Sequence, residues 1–290
     1  MTLKQSENEV MLEGILSEID YRELPQNDNA LAGRIVLQCK IRPNPKTKET
    51  ITSLIPVEFY VAPMTKAGKS NKAYSKIKSL IDNAKTLADG NEPEAATKLR
   101  TRAQISENSF VKDGEIITGM KIRSNFYDEV RNNDFEPTAN FKVRMVVSAI
   151  LPEMKTIEGS KQETGDLIVE GFVVNYRGDL EKIRLNVRGK KYVESIEQYW
   201  SEMETIKASG FVNFSTEKET YVSDQEEGFG EPIEEKYIRN IKEFIITNGS
   251  RGEVDNPYDT DEITEKIKER KRALEEKLAE SEKAEADKGW

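Results

Sequence analysis

The sequence predicts a mainly β protein with a few helices (all-β or α+β). It reads as two tandem five-stranded barrels, each with a helix between its third and fourth strands, then a charged C-terminal helix. Three observations predict this. Apolar residues recur with a period of two in many short runs, as in strands with one buried face. A single helix-spaced set interrupts these runs in each half of the chain, and the order of runs is the same in both halves.

In the first half, Val10, Leu12, Gly14 and Leu16 alternate, then Ile35, Leu37, Cys39 and Ile41, then Val57, Phe59 and Val61. Tyr74, Ile77, Leu80 and Ile81 follow at helical spacing, and two further β-type runs cover about residues 97–109 and 115–128. The second half repeats the order. Phe141, Val143, Met145 and Val147 alternate, with β-rich runs near 165–175 and 180–189. Tyr192, Val193, Ile196, Tyr199, Trp200 and Met203 have helical spacing, and runs near 205–215 and 234–248 complete the set. Leu12, Gly14, Leu16, Ser17 and Ile19 align with Val143, Met145, Val147, Ser148 and Ile150, which supports an internal repeat. The predicted units are residues 1–130, 131–248 and 249–290, with RNNDFEPT at the first join. Three strands, a helix and two strands within about 120 residues is the order of the OB-fold, a partly open barrel that binds oligonucleotides and oligosaccharides.

Composition narrows the chemistry. The chain has 290 residues, 33% of them charged, one cysteine and no histidine. Histidine triads and zinc sites built from several Cys or His are excluded, so no catalytic residue, cofactor or metal is expected. Cys39 reads as a core residue. No apolar run approaches the roughly 20 residues that span a bilayer, and the N-terminus lacks a signal pattern, so no membrane role is expected. Gly68-Lys69-Ser70 lies between a strand and a helix, the context of a P-loop, but the position five residues before Gly68 is Pro63. Proline fixes φ and has no N–H, so that backbone cannot wrap a phosphate. The chain reads as a binding protein and not an enzyme.

Net charge is −9, yet residues 1–216 hold 31 basic and 31 acidic side chains, and the deficit lies wholly in the last quarter. Residues 40–78 carry nine Lys or Arg against Glu49 and Glu58. Strand parity predicts an outward face on the first unit bearing Arg34, Gln38, Lys40, Arg42, Tyr60, Arg100, Arg102, Lys121, Arg123, Asn125 and Tyr127. Lys66, Lys69 and Lys72 precede and open the helix, where ammonium groups and free N–H groups suit phosphate contacts. Cations with flat rings between them suit a single strand, since phosphates need positive charge and bases need stacking platforms. With Glu58 the one clear acid on it, this face is the predicted nucleic-acid site: Arg34, Lys40, Arg42, Tyr60, Lys66, Lys69, Lys72, Arg100, Arg102, Lys121, Arg123 and Tyr127. The second unit offers Arg184, Arg188, Lys190 and Lys191, but its residues 217–235 are strongly acidic.

After Asn248 a turn-rich acidic linker leads to a helical segment, with Asp261 as the N-cap expected and Ile263, Ile267, Leu274 and Leu278 as a narrow apolar stripe. That stripe suits docking on a barrel or pairing with a second copy; otherwise the helix is solvated. As a tethered acidic segment it is expected to compete for the basic groove.

The blocks EGILSEIDYRE, VEFYVAPMTKAGKSNKAYSKI and NIKEFIITNGS, with the acidic helical tail, resemble the single-stranded DNA-binding proteins of tailed bacteriophages. The resemblance implies an OB-type protein in the cytoplasm of a bacterial host. It would coat single-stranded DNA, or RNA, with little sequence preference during replication or recombination. It also implies replication or recombination proteins as partners of the C-terminal tail, although Trp290 after Lys288-Gly289 departs from a purely acidic tip. The alternatives are a protein-interaction or structural β-module and a single-strand annealing protein.

Overall fold

A computed structural model describes residues 3–40, 52–157, 160–223, 233–252 and 254–286, with the side chains of 157, 217–223, 233–239 and 282–286 left undescribed. In the first half, β1 (Asn8–Leu24), β2 (Ala30–Lys40) and β3 (Thr52–Val61) precede α1 (Lys72–Asn83), β4 (Lys98–Lys112) and β5 (Glu115–Arg123). β2 lies antiparallel between β1 and β3, β5 runs parallel to β3 and antiparallel to β4, and β4 returns to β1. The pairings therefore close a circuit. The β4–β5 turn is Asp113-Gly114, both at positive φ, which matches the twist of a two-residue hairpin. A two-residue strand, β6 (Asp128–Glu129), adds to β4.

The second half has β7 (Thr138–Ile157), β8 (Ser160–Val174), β9 (Leu180–Val187), α2 (Lys190–Tyr199), β10 (Thr205–Ser223) and β11 (Ile233–Gly249). Its pairings repeat the first circuit: β7–β8–β9, β9 parallel to β11, β11–β10 and β10–β7. The order of elements read from the sequence holds in both halves, although β1, β7, β10 and β11 are longer than their apolar runs.

The repeat is visible at single residues. Register slips between Leu16 and Glu18 in β1 and between Val147 and Ala149 in β7, so Ser17 and Ser148, which align in sequence, are the extra residues of two matching bulges. Core volume is exchanged around them. A Cβ on Gly14 would meet Cys39 Sγ and Gln38 O at 2.8 Å, and the diagonal position across the strands holds Leu37. In the second half the same two places are Met145 and Gly171, and a Cβ on Gly171 would press on Met145. Large and small have swapped sides, as close packing requires.

The circuits join through β1 and β7, which pair antiparallel from Asn8↔Val143 to Glu13↔Thr138. With Ser17 matched to Ser148, this register is symmetric about the Val10–Phe141 pair, so each strand presents the same stretch to the other. Glu13, 2% exposed, fastens the join: its carboxylate accepts from Arg100 Nε at 2.5 Å and from Glu136 N–H at 2.6 Å. The main core runs through both halves and takes in Ile77 and Leu80 of α1 and Ile196 of α2, with Trp200 just beyond it. Trp200 lies so close to Gly249 that a Cβ there would sit 2.4 Å from the indole, and its N–H donates to Ser250 O.

The last helix, α3 (Thr260–Ala286), docks. Ile263 is fully buried against Leu3, Val146, Phe172, Val174 and Leu180 on the outer face of the second circuit, with Ile267 beside it. Arg270 reaches across to Glu107 of β4 at 2.7 Å and lies 5.6 Å over the Phe172 ring. The N-cap is Asp259, whose carboxylate accepts from the N–H groups of Asp261 and Glu262; Asp261 is already inside the helix. Among the described residues, no helix is long and apolar enough to cross a membrane.

Candidate nucleic-acid interface

An outward groove of about 490 Å³ crosses β1, β2, β3 and β5, lined by Tyr21, Arg22, Arg34, Tyr60 and Arg123 together with Asp20 and Glu58. Register explains the convergence. Asp20, Arg34, Glu58 and Arg123 are direct cross-strand neighbours on four strands, and Arg22, Ala32 and Tyr60 form the next row. Residues in one row point to the same side, and Ala32 leaves a gap between Arg22 and Tyr60. Gly33 lets β2 run close to β1, because a Cβ there would lie 2.1 Å from Asp20 O. Tyr60 is 41% exposed in this face, whereas Tyr21 belongs to the alternate row, Tyr21–Gly33–Phe59. Asn125 accepts the Tyr60 N–H at 3.0 Å, and the next residue, Phe126, is 72% exposed.

Of the residues expected from parity, the structure brings Arg34, Tyr60 and Arg123 into this groove. Lys121 sits one step away, held by Glu58 at 2.9 Å and Asn108 at 3.0 Å. Lys66, Lys69 and Lys72 are exposed on the connection that leaves β3 just after Tyr60 and on the first turn of α1, which Asn71 caps. Lys40 is exposed six residues along β2 from Arg34, roughly 20 Å away. Arg42 lies outside the described residues, as do Lys46, Lys48 and Trp290.

Tyr127 corrects the sequence reading. It is 2% exposed, not outward, and burial pushes its hydroxyl far above the usual tyrosine range. β5 ends at Arg123, and Ser124 turns the chain by accepting the Phe126 N–H and donating to Arg102 O, so the alternation stops. Phe126 takes the exposed place.

The face is also less purely basic than expected. Glu9, Glu13, Glu18 and Asp20 of β1 project onto it, and they engage Arg102, Arg100 and, in the last two cases, Arg34. Arg100 therefore neutralises a buried carboxylate, and it lies with Arg102 on the β1–β4 face, outside the groove. The basic groove residue that sequence reasoning missed is Arg22, with Asp20 beside it in the neighbouring row. The reason is the bulge at Ser17, which shifts the parity of the rest of β1 so that Asp20 and Arg22 face outward and Tyr21 falls on the side of Ile19.

In the second circuit Arg188 does lie on the outer face, opposite the buried Val187, but it is not free. Its guanidinium contacts Glu153 at 2.6 Å, Asp166 at 3.3 Å and Glu243 at 2.5 Å, and it is mostly buried. Burial alone would lower its pKa, but the hydrogen bonds to Glu153 and Glu243 hold it above its ordinary value. Burial likewise raises the Glu153 carboxyl, and the bonds from Arg188 and Thr164 overcome it, for a net lowering. Among the described residues, no cluster of three or more Cys, Asp or Glu is arranged to hold a metal ion.

The sequence model of the YorF family matches residues 6–280. A search of curated protein sequences finds no match. Among solved structures, the wild-type single-stranded DNA binding protein from Thermus aquaticus is similar with a TM-score of 0.52 at 10% identity, covering 88% of this chain and 97% of that one. A deletion mutant of the same Thermus aquaticus protein gives 0.52 at 11%, covering 88% and 98%. At this identity the likeness is one of fold.

Proposed function

We propose that this chain, which belongs to the YorF family, is a non-enzymatic single-stranded DNA-binding protein built on two OB-type barrels. On this reading it coats exposed strands with little sequence preference during phage DNA replication or recombination, in the host cytoplasm. One observation carries the reading: the Tyr60 ring stands beside Arg22, Arg34 and Arg123 in one open groove across adjacent strands. Rings accept any base by stacking, each worth about 1–3 kcal/mol, and guanidinium groups meet the phosphates between them. Stacking and phosphate contacts do not depend on base identity, which fits sequence tolerance. The similarity of fold to single-stranded DNA binding proteins supports the same reading.

The tail enters differently from the competition expected of it. The start of α3 is packed on the second circuit, clear of the groove, so its outer half is the part left to recruit replication or recombination proteins. Titration of a labelled oligothymidylate at low salt tests the function. Binding should fall with salt at about 0.7 log units per phosphate contacted. Absence of binding, or salt-insensitive binding, would leave a protein-interaction module as the reading.

A further inference from the structure

Resting on the function just proposed, we infer that the nucleic-acid site is single: each chain seats one strand on the first circuit, and the matching surface of the second is shut by the protein itself. The correspondence follows from the register. With Ser17 matched to Ser148, the row Asp20–Arg34–Glu58–Arg123 corresponds to Leu151–Ile168–Asn186–Ile245. A row of four charges has become three aliphatic side chains and a buried amide. The next row, Arg22–Ala32–Tyr60, is matched in position by Glu153, Asp166 and Arg188, which lie just past the regular pairing, at a register shift in β7, and are held together by the Arg188 ion pairs.

Where the first circuit has an open gap at Ala32, the second has a carboxylate. Where the first exposes the Tyr60 ring, the second holds Arg188 among Glu153, Asp166 and Glu243. Three carboxylates around one guanidinium leave the cluster negative, so it repels a phosphodiester. Both terminal nitrogens of Arg188 are already engaged by these carboxylates, and the side chain stands where the Tyr60 ring would. Further along the same face, Gln38, Lys40 and Thr52 correspond to Phe172, Val174 and Leu180, the residues under α3. The second circuit thus keeps the shape of the site with its own side chains and helix in the ligand's place.

Stoichiometry tests this. The probe is an oligothymidylate of about eight nucleotides, within the span of one OB unit, titrated into the full chain at concentrations well above Kd. One oligonucleotide should bind per chain. Tyr60→Ala and Arg123→Gln, each shown to be folded by circular dichroism, should each weaken that binding at least fivefold. The charge reversals Arg184→Glu, Lys190→Glu and Lys191→Glu, made together on the second circuit, should leave Kd within about twofold. Two oligonucleotides per chain, or a tenfold loss in the triple variant, would overturn the single-site inference and leave the proposed function standing. No binding by the unaltered chain would overturn both.

Discussion

Tyr60 and Arg188 occupy the same place in two copies of one strand circuit, and they do opposite things. The first projects into an open groove with no charged neighbour in its own row except Arg22; the second is clamped by three acids. Their flanking core residues hardly differ in kind: Val57, Phe59 and Val61 are buried in β3, as are Ile183, Leu185 and Val187 in β9. The inner face of a strand is fixed by packing, where every methylene is felt. The outer face carries no such demand, so a repeat can keep its fold and lose its ligand by changes at alternate positions only.

The comparison breaks most sharply on stability. Arg188→Ala leaves Glu153, Asp166 and Glu243 with no cation among them, and breaking a buried ion pair costs about 3–5 kcal/mol. Tyr60→Ala removes a ring that packs on little, so it should shift stability by no more than about 0.5 kcal/mol. Urea unfolding of the two variants side by side measures both, and equal losses would contradict the contrast. On binding the order reverses. Tyr60→Ala should cost about 1–3 kcal/mol of affinity for a single strand, read by fluorescence anisotropy.

A smaller effect sharpens the account of the groove. Arg123→Gln should lower the slope of log K against log salt by about 0.7, the loss of one phosphate contact. An unchanged slope would assign Arg123 to holding Glu58 in the row. The smallest effect concerns α3. Burial raises the Glu107 carboxyl, but the bonds from Arg270, Ser109 and the Lys182 N–H outweigh it, so its folded pKa is lowered. A lowered folded pKa means stability that is fully present above the unfolded value of about 4.3 and lost as the pH falls through the folded value. Acid should therefore loosen α3 in that window, seen as faster proteolysis after Thr260, and Glu107→Gln should flatten the dependence.

The order of elements was legible because period two and period 3.6 are written directly in the apolar residues. Cys39, Leu37 and Ile35 are fully buried where alternation puts them, and α1 buries Ile77 and Leu80. Pairing across the circuit was not legible. Glu9 and Glu13 alternate as plainly as Val10 and Leu12, but only the register sets them against Arg102 and Arg100. Parity also fails at two irregular places. The bulge at Ser17 brings Asp20 and Arg22 to the groove and turns Tyr21 away from it, and the turn at Ser124 sends Tyr127 inside and Phe126 out. The docking of α3 depends on Arg270 finding Glu107, a partner far away in the chain, and no local pattern announces it.

The pairing of β1 with β7 has a consequence for how the chain is made. One edge of Asn8–Glu13 finds its partners only in residues 138–143. At about 5–20 residues per second, those partners leave a ribosome on the order of ten seconds later. For that interval the N-terminal strand carries an open edge of unpaired N–H and C=O groups, the kind of edge on which strands from other chains add. Its register is symmetric about Val10, so the best match for that edge, apart from β7, is the same edge on a neighbouring nascent chain. Synthesis at high density on one message should therefore favour chains joined through their first strands, and slowing initiation should reduce them.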